Sequence, residues 1–440
     1  MQEPDIQPSL QWTPSGSLKA AIPCALGVGI SFYSLSRKSY HPRFTLLFIS
    51  LPIIVAFQSS NEFSADDFVN EIFARFLLIF LAHQSFLHCI LAPEEVDIER
   101  RRLSDLSSKY QTVQKQDVSR LHSRQGAPRN WIFAYKMLFN ARCLGTKWQV
   151  RHANPSGEAT MKSNPSPRVK FIMKRLGVLL LRYIFLCLYH DPSFHLYMPD
   201  GIPWKQEDFS SGNQQLFWRF LFSFPALEAQ ARHFVTRGAF IRIYIVCDQL
   251  IPDYLILSSY HDILSIIAVG LHIDTPEEWP PLFGQIGKAY SVRKYWSHFW
   301  HLLVYRSFSA HAEYMIVKVT GTRKRTTLTR YANNACVFVL SGLMHALVER
   351  TLNPDSCSRC GCWATFWRYC LQVVAIISEE VFQRVIAKLE HRLIPGEVRS
   401  MFIATMHRIT GYIWVIFWTL WSKEFTFFPQ AYCLKQQIAA

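Results

Sequence analysis

The sequence predicts an all-α fold, a polytopic transmembrane helical bundle of about eight or nine spans. Half of its 440 residues are hydrophobic and only 18% are charged, which points to lipid rather than water as the surrounding medium. The apolar residues are gathered in blocks, and the blocks lack the strict apolar and polar alternation of barrel strands. In lipid each segment must satisfy its own backbone hydrogen bonds, so blocks of this kind become helices.

In chain order the clearest blocks are 18–35, 44–57, 76–91, 176–189, 254–272, 336–348, 366–385 and 409–421, with 238–250 as a further candidate. A bilayer core demands about 20 mostly apolar residues per helix, and several blocks reach this only with their flanks. Trp279, Trp418 and Trp421 stand where interfacial aromatics are expected, and Lys/Arg pairs bracket several blocks. The chain starts with a polar, partly acidic stretch without the basic start or cleavage site of a secretory signal, so the first block is expected to remain as an anchor.

The formal charge of +15 could suit nucleic acid, but the basic residues are spread through loops between apolar blocks, without a recognition-helix or zinc-finger pattern. Retention of positive loops on the cytosolic side accounts for them, and no nucleic-acid partner is expected. The segment 93–170, which includes Arg100, Arg101 and Arg102, is therefore placed in the cytosol. This divides the chain into N-terminal spans (1–92), a basic cytosolic loop (93–170) and a membrane-embedded catalytic region (171–440).

Eleven cysteines are scattered, most of them inside apolar blocks, where a thiol acts as a small hydrophobe; they do not read as a disulfide framework. Cys357, Cys360 and Cys362 form one tight group that could hold zinc with a fourth ligand, but free loop thiols or a disulfide fit the same spacing, and no metal is expected.

Ionisable residues at membrane depth are costly and mark candidate sites. His345 lies in VFVLSGLMHALV (337–348), with no charged neighbour before Glu349. A neutral imidazole can act as a base near neutral pH, although it can equally well hydrogen-bond a neighbouring helix. Ser341 and Gly342, one turn earlier, let a helix or ligand approach closely.

The second constellation runs from Glu278 to Phe308. Pro280, Pro281 and Gly284 break any helix, and Ser291 can cap a new one that carries Trp296, Trp300, Leu303 and Val304 along one side. Arg293, Lys294, His298, His301 and Arg306 give the same element a basic surface. Such a helix suits the membrane interface, and its cations also suit the phosphates of coenzyme A.

Here the residues resemble a known family. Trp279-Pro280-Pro281-Leu282-Phe283-Gly284, followed by Tyr290-Ser291, Arg293, Trp296, Phe299-Trp300-His301 and Arg306, resembles the wax synthase-like family of membrane-bound O-acyltransferases. Ser341-Gly342-Leu343-Met344-His345 is similar to that family's intramembrane histidine motif, and Gly411-Tyr412-Ile413-Trp414-Val415 to its final span. The run from Asn140 to Trp148 is similar to its loop motif, with Cys143 where a second glycine is usual. The likeness extends from about residue 131 to about residue 428 and is sharpest between Trp279 and His345.

The resemblance implies an O-acyltransferase-like bundle in which His345 is the catalytic base and Trp300 and His301 shape the site, with Arg293, Lys294, Trp300 and Arg306 as the residues expected to meet acyl-CoA. Acyl-CoA is then a co-substrate, no cofactor is resident, and the other partners are a lipophilic alcohol and membrane lipids. Transfer is expected to be direct, with His345 activating the alcohol and His301 supporting the oxyanion. The chain lacks a glycine-flanked nucleophilic serine, and no cysteine has an evident neighbouring base. Fungal members of this type imply acetyl transfer to terpenoid or meroterpenoid hydroxyls, with long-chain wax ester synthesis as the alternative, in a multi-pass protein of the endoplasmic reticulum. A transporter or lipid-binding scaffold would place His345 on a translocation path, but the sequence shows no convincing repeat of broken helices.

Overall fold

The computed structural model describes residues 13–37, 42–103, 130–151, 168–190, 205–223, 228–321, 326–393 and 401–439, and among these it is helical without a strand. The helices are α1 (Pro14–Ser36), α2 (Pro42–Gln58), α3 (Asp67–Ser85), α4 (93–103), α5 (Asn130–Leu138), α6 (Arg168–His190), α7 (Ser211–Phe222), α8 (Ala229–Gly270), the single turn α9 (Val292–Lys294), α10 (Tyr305–Thr320), α11 (Thr327–Leu352), α12 (Pro354–Cys360), α13 (Trp363–Leu393) and α14 (Met401–Ala439). The chain divides into two compact units, Met1–Val150 with Leu303–Cys357, and Arg151–Leu302 with Ser358–Ala440.

The first unit is built on apolar helices with ordinary caps. Thr13 Oγ1 accepts the Gly16 amide at 3.1 Å to start α1, and Asp66 accepts the amides of Phe68 and Val69 to start α3. Leu35, Ile49, Ile53, Leu77, Phe86 and Met137 form its core, while Leu18, Ile22 and Leu26 on α1 and Phe44, Leu47, Phe48 and Leu51 on α2 stay exposed. Such outward apolar faces fit a lipid surround. Among the described residues three helices are long and apolar enough to cross a membrane: α1, Asp67–Ile90 and α11; the 44–58 segment of α2 is a shorter apolar helix.

Part of the expected cytosolic loop belongs to this core. Val96, Glu99 and Arg100 on α4 are buried; Arg100 donates to Asp97 at 2.6 Å and to the Leu35 carbonyl at 3.3 Å. Residues 104–129 and 152–167 of that loop lie outside the described residues.

The second unit holds longer helices that carry paired charges. Asp262 on α8 accepts from both Arg175 and Arg182 of α6, the latter at 2.7 Å. Glu424 on α14 pairs with Arg242 on α8 and accepts the Trp218 indole N–H at 2.7 Å, while the Arg242 guanidinium lies 3.6 Å from the Phe217 ring centroid. These charges lower the mean hydropathy of the very helices that hold the expected later spans.

One expectation is corrected here, and one open alternative is decided. The blocks 238–250 and 254–272, expected as separate spans, lie on one continuous helix, α8, with Pro252 buried inside it. At 1.5 Å per residue its 42 residues run about 63 Å, roughly twice a bilayer core. Of the alternatives left open for the 357–362 cysteine group, the disulfide is found: Cys360 is bonded to Cys433, outside the group, and Cys357 and Cys362 are disulfide-bonded too. The partner of Cys360 lies 73 residues away on α14, a pairing that only the fold creates. Sulfurs joined in this way are no longer thiolate ligands for zinc.

Candidate functional site

In the first unit, α11 presents Ser341 and Gly342 as buried residues and His345 as a half-buried one, one turn further on. The helix is started by Thr326, whose Oγ1 accepts the Thr329 amide at 3.1 Å. Around it Val337 and Met344 pack with Phe308 of α10, and Leu78, Ile79 and Ala82 of α3 cover the cluster. Asn333 Nδ2 donates to Ser309 Oγ at 2.8 Å and so ties α11 to α10. An imidazole on an apolar helix, next to small residues, can take a proton from a hydroxyl that comes out of lipid.

The same unit brings the 140–148 loop to Arg306. Asn140 folds that loop by accepting the Leu144 amide at 2.8 Å and donating to the Leu144 carbonyl at 2.9 Å, and Thr146 Oγ1 donates to the Cys143 carbonyl at 2.8 Å. Cys143 sits in the left-handed region with φ 51°, which supplies the physical reason why glycine suits this place. Burial pushes the Cys143 thiol up to about 12 despite the opposing charge of Arg306, so it holds its proton and is no nucleophile at neutral pH. The guanidinium of Arg306 lies 5.1 Å from the Phe86 ring centroid, and Phe86 meets Trp148 edge-on. Phe86 opens a π turn, Phe86–Ile90, at the end of α3.

In the second unit the 279–301 segment forms an aromatic nest. Arg175 donates to the Trp279 carbonyl at 2.8 Å and the Trp279 indole N–H donates to Asp274 at 3.0 Å, which pins the start of the segment. The Gly284 amide donates to the Phe299 carbonyl at 2.8 Å, and a Cβ on Gly284 would overlap the His298 carbonyl oxygen. Only glycine permits that approach. Phe283 meets Trp300 and His301 edge-on at 5.2 and 5.7 Å between ring centroids, and Tyr295 stacks on Trp300 at 5.6 Å.

The single amphipathic helix expected from Ser291 through Val304 is corrected. Ser291 does cap a helix, accepting the Lys294 amide at 3.1 Å, but α9 lasts one turn and passes into a π turn, Tyr295–Phe299. Trp300 is extended, with ψ 153°, because the Phe299 carbonyl is already engaged by Gly284 and the Trp300 amide bonds back to Tyr295 at 2.8 Å. Leu303 and Val304 therefore do not continue the face that carries Trp296.

The structure thus places the expected site residues in two groups. Arg293, Lys294, Trp300 and His301 belong to the second unit, while Arg306 and His345 belong to the first. Arg293 is exposed and lies 3.8 Å from Glu380. Lys294 donates to the Tyr290 hydroxyl and sits 3.6 Å from that ring's centroid, and this hydrogen bond pulls the Tyr290 phenol below its ordinary range.

Gln372 was not singled out in the sequence. Its side-chain oxygen accepts the indole N–H groups of Trp296 at 3.2 Å and of Trp418 at 3.1 Å, so Trp418 is a buried wall and not the interfacial residue expected. A cavity of about 50 Å³ lies beside these rings, lined also by Tyr295, Tyr369 and Arg368. The signal was an amide inside an apolar block, which must find partners when buried. Glu379 on the same helix accepts the Val292 amide at 2.8 Å and anchors α9.

Against this geometry, residues 279–367 match the model of the membrane bound O-acyl transferase family. The chain is 25% identical over 302 residues to acetyltransferase atnC of Arthrinium sp, covering 68% of this chain and 63% of that protein. It is 27% identical over 293 residues to acetyltransferase TRI7 of Fusarium sporotrichioides, covering 65% of this chain and 61% of that protein. Acetyltransferase aurG of Calcarisporium arbuscula is 29% identical over 176 residues, 40% of each chain. The chain therefore spans less than two thirds of the length of these relatives. No solved structure matches it.

Proposed function

We propose, for a chain that belongs to the wax synthase-like branch of the membrane-bound O-acyltransferase family, that it transfers an acetyl group from acetyl-CoA to a hydroxyl of a lipophilic metabolite of terpenoid or meroterpenoid type. The observation that carries the reading is His345, half-buried on a membrane-length helix beside Ser341 and Gly342. Its imidazole takes the hydroxyl proton as the oxygen attacks the thioester carbon; the tetrahedral intermediate collapses, the thiolate of coenzyme A leaves, and the proton passes to it. His301 supports the oxyanion, and Arg293, Lys294 and Arg306 meet the phosphates of the donor. The raised thiol of Cys143 favours direct transfer over an acyl-cysteine route. The relatives' name, acetyltransferase, favours the short acyl group.

The same reading takes the protein as multi-pass with about eight or nine spans, in the endoplasmic reticulum, with 93–170 on the cytosolic side. Apolar outer faces on α1 and α2 and the basic character of the loop support it. The test is turnover: purified protein in lipid nanodiscs receives labelled acetyl-CoA and a set of terpenoid alcohols. Label in an ester product supports the proposal. Label transferred only from long-chain acyl-CoA to fatty alcohols would replace it with wax ester synthesis, and no ester from either donor would refute acyl transfer.

A further inference from the structure

Four of the eleven cysteines are oxidised, and they lie in one short segment and at one helix end. Cys360 closes α12 and is bonded to Cys433 near the end of α14, with Cα atoms 5.8 Å apart; Cys357 and Cys362 are disulfide-bonded as well. Gln430, one turn before Cys433, donates to the Gly361 carbonyl at 3.1 Å and reinforces the staple. The other seven cysteines are in no disulfide. Oxidation confined to one place in the chain is what an oxidising compartment on one side of a membrane produces, since the cytosol keeps exposed thiols reduced.

The distribution of charge agrees independently. The last turns of α13 carry Arg384, Lys388 and Arg392, the joining sequence carries Arg399 and the start of α14 carries Arg408, while the end of α10 carries Lys318 and the sequence leading to α11 carries Arg323, Lys324 and Arg325. The segment 353–362, which holds the cysteines at the opposite ends of these helices, has Arg359 as its one Lys or Arg, with Asp355 beside it. Short basic loops stay in the cytosol. Just after the cysteines, Trp363 and Trp367 are exposed on the first turns of α13, as interfacial aromatics are.

We infer that residues 358–362 and the C-terminal end of α14 form a disulfide-stapled cap on the non-cytosolic face, so that α13 runs to the cytosol and α14 runs outward again. Each disulfide forms by exchange: two thiols of this chain give up two protons and two electrons, and the disulfide of an oxidoreductase in that compartment is reduced to two thiols. The inference rests on the membrane-spanning reading and uses nothing of acyl transfer, so it stands or falls apart from turnover.

The experiment appends a flexible tail bearing an Asn-Xaa-Ser glycosylation site after Ala440 of the full chain and expresses it in microsomes. The expected result is a tail that is glycosylated and shielded from added protease, with a Cys360–Cys433 linked peptide in a non-reduced digest. In intact microsomes, a protease site inserted at 396–399 is expected to be cut from outside. An unglycosylated tail that protease removes from intact microsomes would overturn the orientation. Cys360 and Cys433 labelled by maleimide without prior reduction would overturn the staple even with the tail outside the cytosol. A Cys360→Ser, Cys433→Ser double variant is expected to keep the same tail glycosylation but to melt at a lower temperature; an unchanged melt would show that the bond holds nothing.

Discussion

The two units solve the same problem, packing helices in an apolar surround, with different chemistry. In the first, α1, α2 and α3 meet through Leu35, Ile49, Ile53 and Leu77. In the second, α8 is held to α6 and α14 through Asp262 with Arg175 and Arg182, and through Glu424 with Arg242. Apolar contacts are non-directional and tolerate small shifts, whereas a buried ion pair demands both partners in place. The second unit also carries the aromatic segment around His301, whose rings must be held in a fixed relation. Directional pairs suit that task, and the first unit, whose α1–α3 contacts are mainly apolar, carries His345 on α11.

The largest stability effect should come from breaking a pair in the second unit. Glu424→Ala leaves the Arg242 guanidinium buried and also strands the Trp218 indole N–H, a loss of about 3–5 kcal/mol. Replacing both partners, Arg242→Met with Glu424→Leu, should recover most of that loss in thermal unfolding assays in detergent. A double variant as unstable as the single one would mean that the pair is not what ties α8 to α14.

The apolar unit should respond differently. Leu77→Ala, at a fully buried position, is expected to cost about 2–5 kcal/mol from lost transfer energy and the cavity left behind. That cost should not change between low and high salt. A salt-dependent melting shift would break the contrast between the units.

Within the second unit, Gly284→Ala places a methyl group against the His298 carbonyl and should cost about 1–3 kcal/mol as the backbone is forced apart. Turnover of the folded fraction should fall as well, because the carbonyl of Phe299 and the rings that follow it move. Normal turnover in folded Gly284→Ala protein would separate the aromatic nest from the chemistry.

The smallest stability change is expected for Arg293→Ala, within about 0.5 kcal/mol, since the side chain is exposed and its Glu380 partner is 3.8 Å away. If Arg293 meets the donor's phosphates, KM for acetyl-CoA rises while kcat holds. An unchanged KM would remove it from the donor site.

The contrast between the units also explains what the sequence made legible. α1, α3 and α11 were readable because their apolar runs are little interrupted, and Ser291 was readable as a cap because serine before a helical turn has a local mechanism. The continuity of α8 was not, because Pro252 reads as a breaker until the flanking turns are seen to close around it. Nor was the break at Trp300, which depends on a hydrogen bond from Gly284, a residue in a different turn. Cys360 and Cys433 are joined only by the fold, and the role of Gln372 appears only when two indoles converge on it. Local chemistry was visible in the residues, while contacts between distant residues were not.

The central claim is that His345 is the base. Acetyl-CoA consumption per folded molecule, measured on the His345→Ala protein with a terpenoid alcohol as acceptor, tests it most directly. The account predicts a fall of about a hundred to ten thousand fold with the protein still inserted and its melting temperature little changed; wild-type turnover in that variant, or a loss of folded protein with normal turnover in the remainder, would contradict it.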